Sequence, residues 1–150
     1  MRVFAATTVA LIVCLAGSSP ALAQQKAWDQ DAVTKLVAEL VNVISKVQVA
    51  AKTTDNVTSD EAREFVIEDL ALLKKNARSL EQELRSGKDQ TASFPRAKRV
   101  GSLVQRTRAN AQVAMLSPAN SAEVKRANEL IAQIATYYRD YPDVAAPPAN

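Results

Sequence analysis

Apolar residues recur along this chain at alternating spacings of four and three, which is the period of a helical face. Val33, Val37, Leu40, Ile44, Val47 and Ala51 form the first such seam, between Trp28 and Lys52. Many of these side chains are β-branched and lean locally toward strand, but the period holds across the whole run and outranks propensity. Asp29 or Asp31 can accept hydrogen bonds from the free amides at the start. Val66, Leu70, Leu73, Ala77, Leu80 and Leu84 form a second seam of the same spacing. Thr58 with Glu61 reads as a capping box before it, and Gly87 supplies a left-handed residue after it. Beyond a loop around SGKDQTAS, Pro95 suits a first helical turn, and Ala97, Val100, Val104, Thr107, Ala111 and Ala114 continue the period with small side chains. Ser117 and Pro118 then read as cap and first position of a fourth helix, with Val124, Ala127, Ile131, Ile134 and Tyr138 on its seam.

Four helices of roughly 20 to 27 residues joined by short loops predict an all-α chain, an antiparallel up-down-up-down four-helix bundle about 30 to 40 Å long. The bundle is expected to span residues 24–141, and the Pro/Ala-rich stretch 142–150 is expected to be a disordered tail. The repeated heptad spacing is also that of a coiled coil, and the main rival architecture is a long helical hairpin that dimerises. Glycine is scarce and no strand-turn signal competes.

The first 23 residues follow a different rule. Arg2 precedes an apolar run from Val3 to Ala16, and Ala21-Leu22-Ala23 places small residues where a signal peptidase reads them. The run is too short to span a bilayer, which needs about 20 apolar residues. A signal peptide cleaved after Ala23 is therefore expected, of bacterial type, with the protein in the periplasm or outside the cell. Cys14 sits behind bulky Leu11-Ile12-Val13, a poor setting for lipid modification, and would leave with the signal.

Cleavage changes the available chemistry. Of 150 residues 127 remain, with neither cysteine nor histidine, 18 basic residues against 16 acidic, and no transmembrane segment. Disulfide, thiol and imidazole chemistry are excluded, and no cofactor is expected. Haem, zinc and iron all prefer ligands this chain lacks, although its pattern resembles periplasmic cytochrome bundles in architecture. No calcium-loop spacing is present. A mild positive balance without aromatic residues interleaved among the cations argues against nucleic acid.

Three clusters remain as candidates. Asp60, Glu61, Glu64, Glu68 and Asp69 could be drawn as a metal cage, but the first three complement the dipole at the start of helix two. Asp69 borders the apolar face and should meet an Arg or Lys from a neighbouring helix. Arg96, Lys98, Arg99, Arg106 and Arg108 lie in a stretch without any acid, from Gln90 to Ala122. They spread over the arc opposite the seam when projected at about 100° per residue, as a solvated face does. Contact with an acidic protein or a weak contact with an anionic surface is the functional alternative, and helix two, with seven acids against four bases from Asp60 to Glu83, offers an internal one. Tyr137, Tyr138 and Tyr141 could grip a ligand, but such rings at a bundle end usually pack and keep their hydroxyls wet.

The segment AAKTTDNVTSDEARE is similar to one in the all-helical chorismate mutases, some of them exported, where a lysine precedes Asp-x-x-Arg-Glu by a short loop. The resemblance implies catalytic roles for Lys52, Asp60, Arg63 and Glu64. It covers about a tenth of the chain, its loop is one residue shorter than the family's, and Val41 stands where the family has a carboxylate-clamping arginine.

Together these features predict a non-catalytic exported bundle acting through an unknown protein partner or through self-association. The small seam of helix three should dock it weakly and leave its basic face available. A ligand-binding bundle is the second expectation, and it requires a cavity that close packing of small side chains would close. A chorismate-mutase-like enzyme is the third.

Overall fold

The structure, a computed structural model, describes residues 25–53, 60–113, 122–138 and 141. The expected signal peptide, Cys14, Thr58, Ser117-Pro118 and the tail 142–150 lie outside the described residues. Within them the chain is all-helical, with four helices and no strand: α1 (Gln30–Thr53), α2 (Asp60–Arg85), α3 (Gln90–Val113) and α4 (Ala122–Ala135).

The helix ends follow from local chemistry. The Asp29 carboxylate accepts from the Ala32 amide at 2.9 Å and caps α1. Two interlocked bonds close α2, Lys88 N–H to the Glu83 carbonyl at 3.1 Å and Gly87 N–H to the Leu84 carbonyl at 3.0 Å. They form a Schellman motif, and it requires the left-handed φ of 90° at Gly87. The start of α3 corrects the sequence reading. Asp89 caps it, accepting from the Ala92 amide at 2.8 Å, so the helix begins at Gln90 and Pro95 lies inside it rather than in its first turn. A strong cap and the buried Ser93 hydroxyl, bonded to the Asp89 carbonyl at 2.7 Å, outweigh the one helical bond that proline cannot donate. The fourth helix, described from Ala122, ends earlier than expected, at Ala135, because Thr136, Tyr137 and Tyr138 turn their amides to carbonyls three residues back and tighten the chain out of the α-helix.

Packing runs in the order α4, α1, α2, α3: α1 lies between α4 and α2, and α2 between α1 and α3. The backbones of α3 and α4 scarcely approach each other. All six positions of the α2 seam are buried, as are Val33, Val37, Leu40, Ile44 and Ala51 of α1. Because α1 has two neighbours its buried face is wider than one seam and takes in Val41 and Val43. Leu103 and Leu130, off the expected seams, are buried as well. Gln30 at the start of α1 donates to the Leu84 carbonyl at the end of α2 at 2.6 Å, and Arg126 of α4 pairs with Glu39 of α1 at 2.7 Å.

As expected, α3 docks less extensively than α1 and α2, packing closely against α2 alone. Besides the small seam it buries Leu103, and it is tied to α2 by Arg106 to Asp69 at 2.5 Å, Asn110 to Asp69 at 2.6 Å and Arg96 to Glu83 at 3.5 Å. Its loose side faces α4.

Candidate functional site

The two ends of the bundle are filled differently, and the difference originates in side-chain size. At one end Tyr138 is surrounded by aromatic rings, Trp28 edge-on at 5.4 Å, Phe94 at 6.1 Å and Tyr141 at 6.2 Å between centroids. The Lys26 amide donates to the Thr136 carbonyl at 2.8 Å, and Gln90 donates to the Tyr137 carbonyl at 2.5 Å, fastening the chain over this end.

Wet tyrosine hydroxyls were the expectation for these rings, and two of them are not wet. Tyr138 shares a 3.0 Å hydrogen bond with the buried Ser93, and the Tyr141 hydroxyl is buried without a hydrogen-bond partner among the described residues. Burial raises the pKa of Tyr138, against the opposing pull of the Ser93 bond; burial and then the neighbouring Tyr138 raise that of Tyr141. Both groups hold their protons more tightly folded than unfolded, so their stabilisation is complete below the ordinary tyrosine pKa of about 10 and is lost as pH rises above it. Thermal midpoints should therefore fall between pH 9 and pH 11, and Tyr141→Phe should fall less. At neutral pH that variant should gain about 1 kcal/mol in denaturant unfolding, since it removes a buried unsatisfied hydroxyl.

At the other end the seams carry Ala51, Ala111, Ala127, Val124 and Thr107, and among the described residues no ring points into the space between them. The side chains are too short to meet across the gap where α3 and α4 stand apart. What remains is an apolar cavity of about 100 Å³ bounded by all four helices, with Ile44 from α1, Leu70 and Leu73 from α2, Val104 from α3 and Ile131 from α4 in its walls. The expectation that small side chains would close such a space fails here, because closure needs the helix axes to draw together and α3 is already held close to α2.

Arg108 of α3 and Asn128 of α4 both line this cavity, almost wholly through their carbon atoms, and the Arg108 guanidinium donates through Nη2 to Asn128 Oδ1. No carboxylate pairs with Arg108 among the described residues, and burial lowers its pKa from the ordinary value. An arginine nevertheless stays charged, so the cavity wall carries a half-buried cation with a neutral partner. Thr107 spends its hydroxyl on the Leu103 carbonyl at 2.8 Å.

The basic residues of α3 are thus divided. Arg106 is bound to Asp69, Arg96 to Glu83 and to Asn76 Oδ1 at 3.3 Å, and Arg108 turns to α4. Lys98 and Arg99 remain exposed, without an ion pair among the described residues. Asp69 has the cationic neighbour its position implied. The residues of the mutase-like segment do not converge on the cavity. Lys52 and Glu64 are exposed, Asp60 is exposed and 3.5 Å from Arg63, and none of the four lines the space. No group of three or more metal-ligating side chains comes together among the described residues, and no described helix is long and apolar enough to cross a membrane.

Arg108 was legible in the sequence as a cation but not as a wall of a cavity. Asn128 carried no signal of its own. Comparison with known proteins finds no matching family, no matching curated protein and no matching solved structure.

Proposed function

We propose that this chain is a non-catalytic exported binding protein, an antiparallel up-down-up-down bundle that receives a small apolar ligand at the end of the bundle where α3 and α4 stand apart. The cavity carries the reading. A sealed apolar core of this size would normally be packed to crystal-like density, whereas here every helix contributes to an unfilled space lined almost wholly by hydrocarbon. The antiparallel arrangement is supported by the bond from the start of α1 to the end of α2, and the short loop closed by Gly87 supports the same arrangement for α2 and α3. Export is supported by the Ala21-Leu22-Ala23 site. Intact mass of the exported protein should show residues 1–23 removed, and a retained signal or a lipid-modified Cys14 would refute that part.

The binding reading is tested with a neutral probe. Cyclopentane should raise the thermal midpoint by mass action and shift the nuclear magnetic resonances of cavity residues such as Ile44 and Ile131. Ala127→Leu, which puts a larger side chain on the cavity wall, should abolish both effects without lowering stability. No response of the unaltered protein to saturating cyclopentane would end the proposal.

Contact with another protein, or with a second copy, is the second reading. Lys98 and Arg99 support it, since they alone of the five α3 cations stay both exposed and outside the internal ion pairs. Crosslinking in the native envelope should lose its products in a Lys98→Glu, Arg99→Glu variant. Arg106 is unsuitable for that test because it holds α3 to α2.

A further inference from the structure

The polar pair at the cavity wall has more bonding capacity than the fold uses. A guanidinium only donates, so the atom of Asn128 that faces Arg108 must be its carbonyl oxygen, and the amide NH2 must point the other way. That NH2 has no partner among the described residues, and Arg108 has a planar fork of further donors with no carboxylate to receive them. Two other cations of α3, both partly exposed, have carboxylate partners: Arg106 pairs with Asp69 and Arg96 with Glu83. Arg108 has only the neutral Asn128 as partner among the described residues, and it borders an apolar space walled by residues of all four helices.

We infer that the cavity takes a small anionic amphiphile, a short aliphatic or aryl carboxylic acid, with its hydrocarbon part in the apolar space and its carboxylate on the Arg108 fork and the Asn128 amide. This rests on the binding reading above and specifies its ligand class. A carboxylate matches the guanidinium fork in plane and spacing and accepts two parallel bonds, while the Asn128 NH2 supplies a third donor from the facing helix. Size limits the hydrocarbon part. An engineered apolar cavity of about 150 Å³ holds benzene, so the smaller space here suits roughly four to six carbons, and longer chains must extend out of it. The ligand would also join α3 to α4, the two helices whose backbones do not meet.

Calorimetric titration of the mature protein with hexanoate and with hexanol separates the terms, because the two share a chain and differ in the head group. Hexanoate should bind at least about tenfold more tightly, the range expected of a charge-assisted pair. The preference should vanish below the acid's own pKa, about 4 to 5, where the ligand becomes neutral. Arg108→Gln should bring hexanoate down to the affinity of hexanol and leave hexanol within about twofold, and Arg108→Lys should restore part of the preference. Should Arg108→Gln fail to fold, as judged by circular dichroism, the pH series and a fall of the preference with added salt carry the same test on the unaltered protein. Equal binding of acid and alcohol, or a preference that survives Arg108→Gln, overturns the inference while leaving a neutral-ligand cavity standing. Binding of neither compound, together with no response to cyclopentane, removes the binding reading itself.

Discussion

Leu80→Ala should destabilise the protein by about 3 to 4 kcal/mol, the largest loss expected from any single truncation in the chain. Leu80 is 0% exposed and lies in the C-terminal part of α2, on the strictest seam of the four and in the half of the bundle that large side chains fill. Truncation removes hydrophobic transfer energy and also leaves a hole that neighbours cannot close, because α2 is held on both flanks, by α1 and by α3. For a domain of this length that loss lowers the thermal midpoint by roughly 10 to 20 °C. Unfolding followed by far-ultraviolet circular dichroism would measure it. A loss below about 1 kcal/mol would mean that the bundle relaxes around the gap and that its core is not close-packed.

Asp69→Ala should cost about 2 kcal/mol through a different mechanism. The carboxylate is buried, and it receives Arg106 at 2.5 Å and Asn110 at 2.6 Å, both from α3. Removing it strands two donors. Arg106 is about half exposed and can turn to water, so Asn110 carries more of the penalty than its neutral character suggests. A cycle of Asp69→Ala with Arg106→Ala should give a coupling of about 1 kcal/mol, limited by solvent screening on the arginine side. Replacing Asp69 and Arg106 together by leucine should recover only part of the loss, because Asn110 still lacks its acceptor. Additive single losses in the cycle would show that Asp69 acts through Asn110 alone.

The parts of the fold legible in the sequence are those governed by one helix at a time. The α2 seam could be read residue by residue because each of its six apolar positions obeys the period and each is buried. The Asp29 cap of α1 and the glycine closure of α2 were legible for the same reason, since both depend on a few consecutive residues. What the period could not convey was the number of neighbours a helix has. Val41 and Val43 lie on opposite sides of the first seam and are buried because α1 has a neighbour on each flank, α2 and α4, and Leu130 and Tyr137 also lie buried off the expected fourth seam. Pro95 misplaced the start of α3 because proline is permitted, not required, at a first turn.

The site was less legible still. A cavity is set by distances between helix axes, which no single-helix pattern encodes, and the alanines at positions 51, 111 and 127 are consistent with close approach or with a gap. Only the third dimension decides between them. Asp69 was the exception, because an acid at the margin of an apolar face must find a donor somewhere. Arg108 looked like its four basic neighbours because projection around one axis cannot show that α4 lies over that side of α3.

The position of α1 between α2 and α4 has a consequence for how the chain is made. Synthesis runs from the amino terminus, so α1 can pair with α2, and α2 with α3, as each emerges, through contacts between consecutive segments. The other flank of α1 stays uncovered until Ala122–Ala135 have been polymerised. During that interval a growing chain presents a band of exposed valine and leucine to water and to whatever chaperones or membrane surfaces surround it. Completion of the fold is therefore tied to the arrival of its last helix, and a chain interrupted before residue 122 would retain that sticky flank.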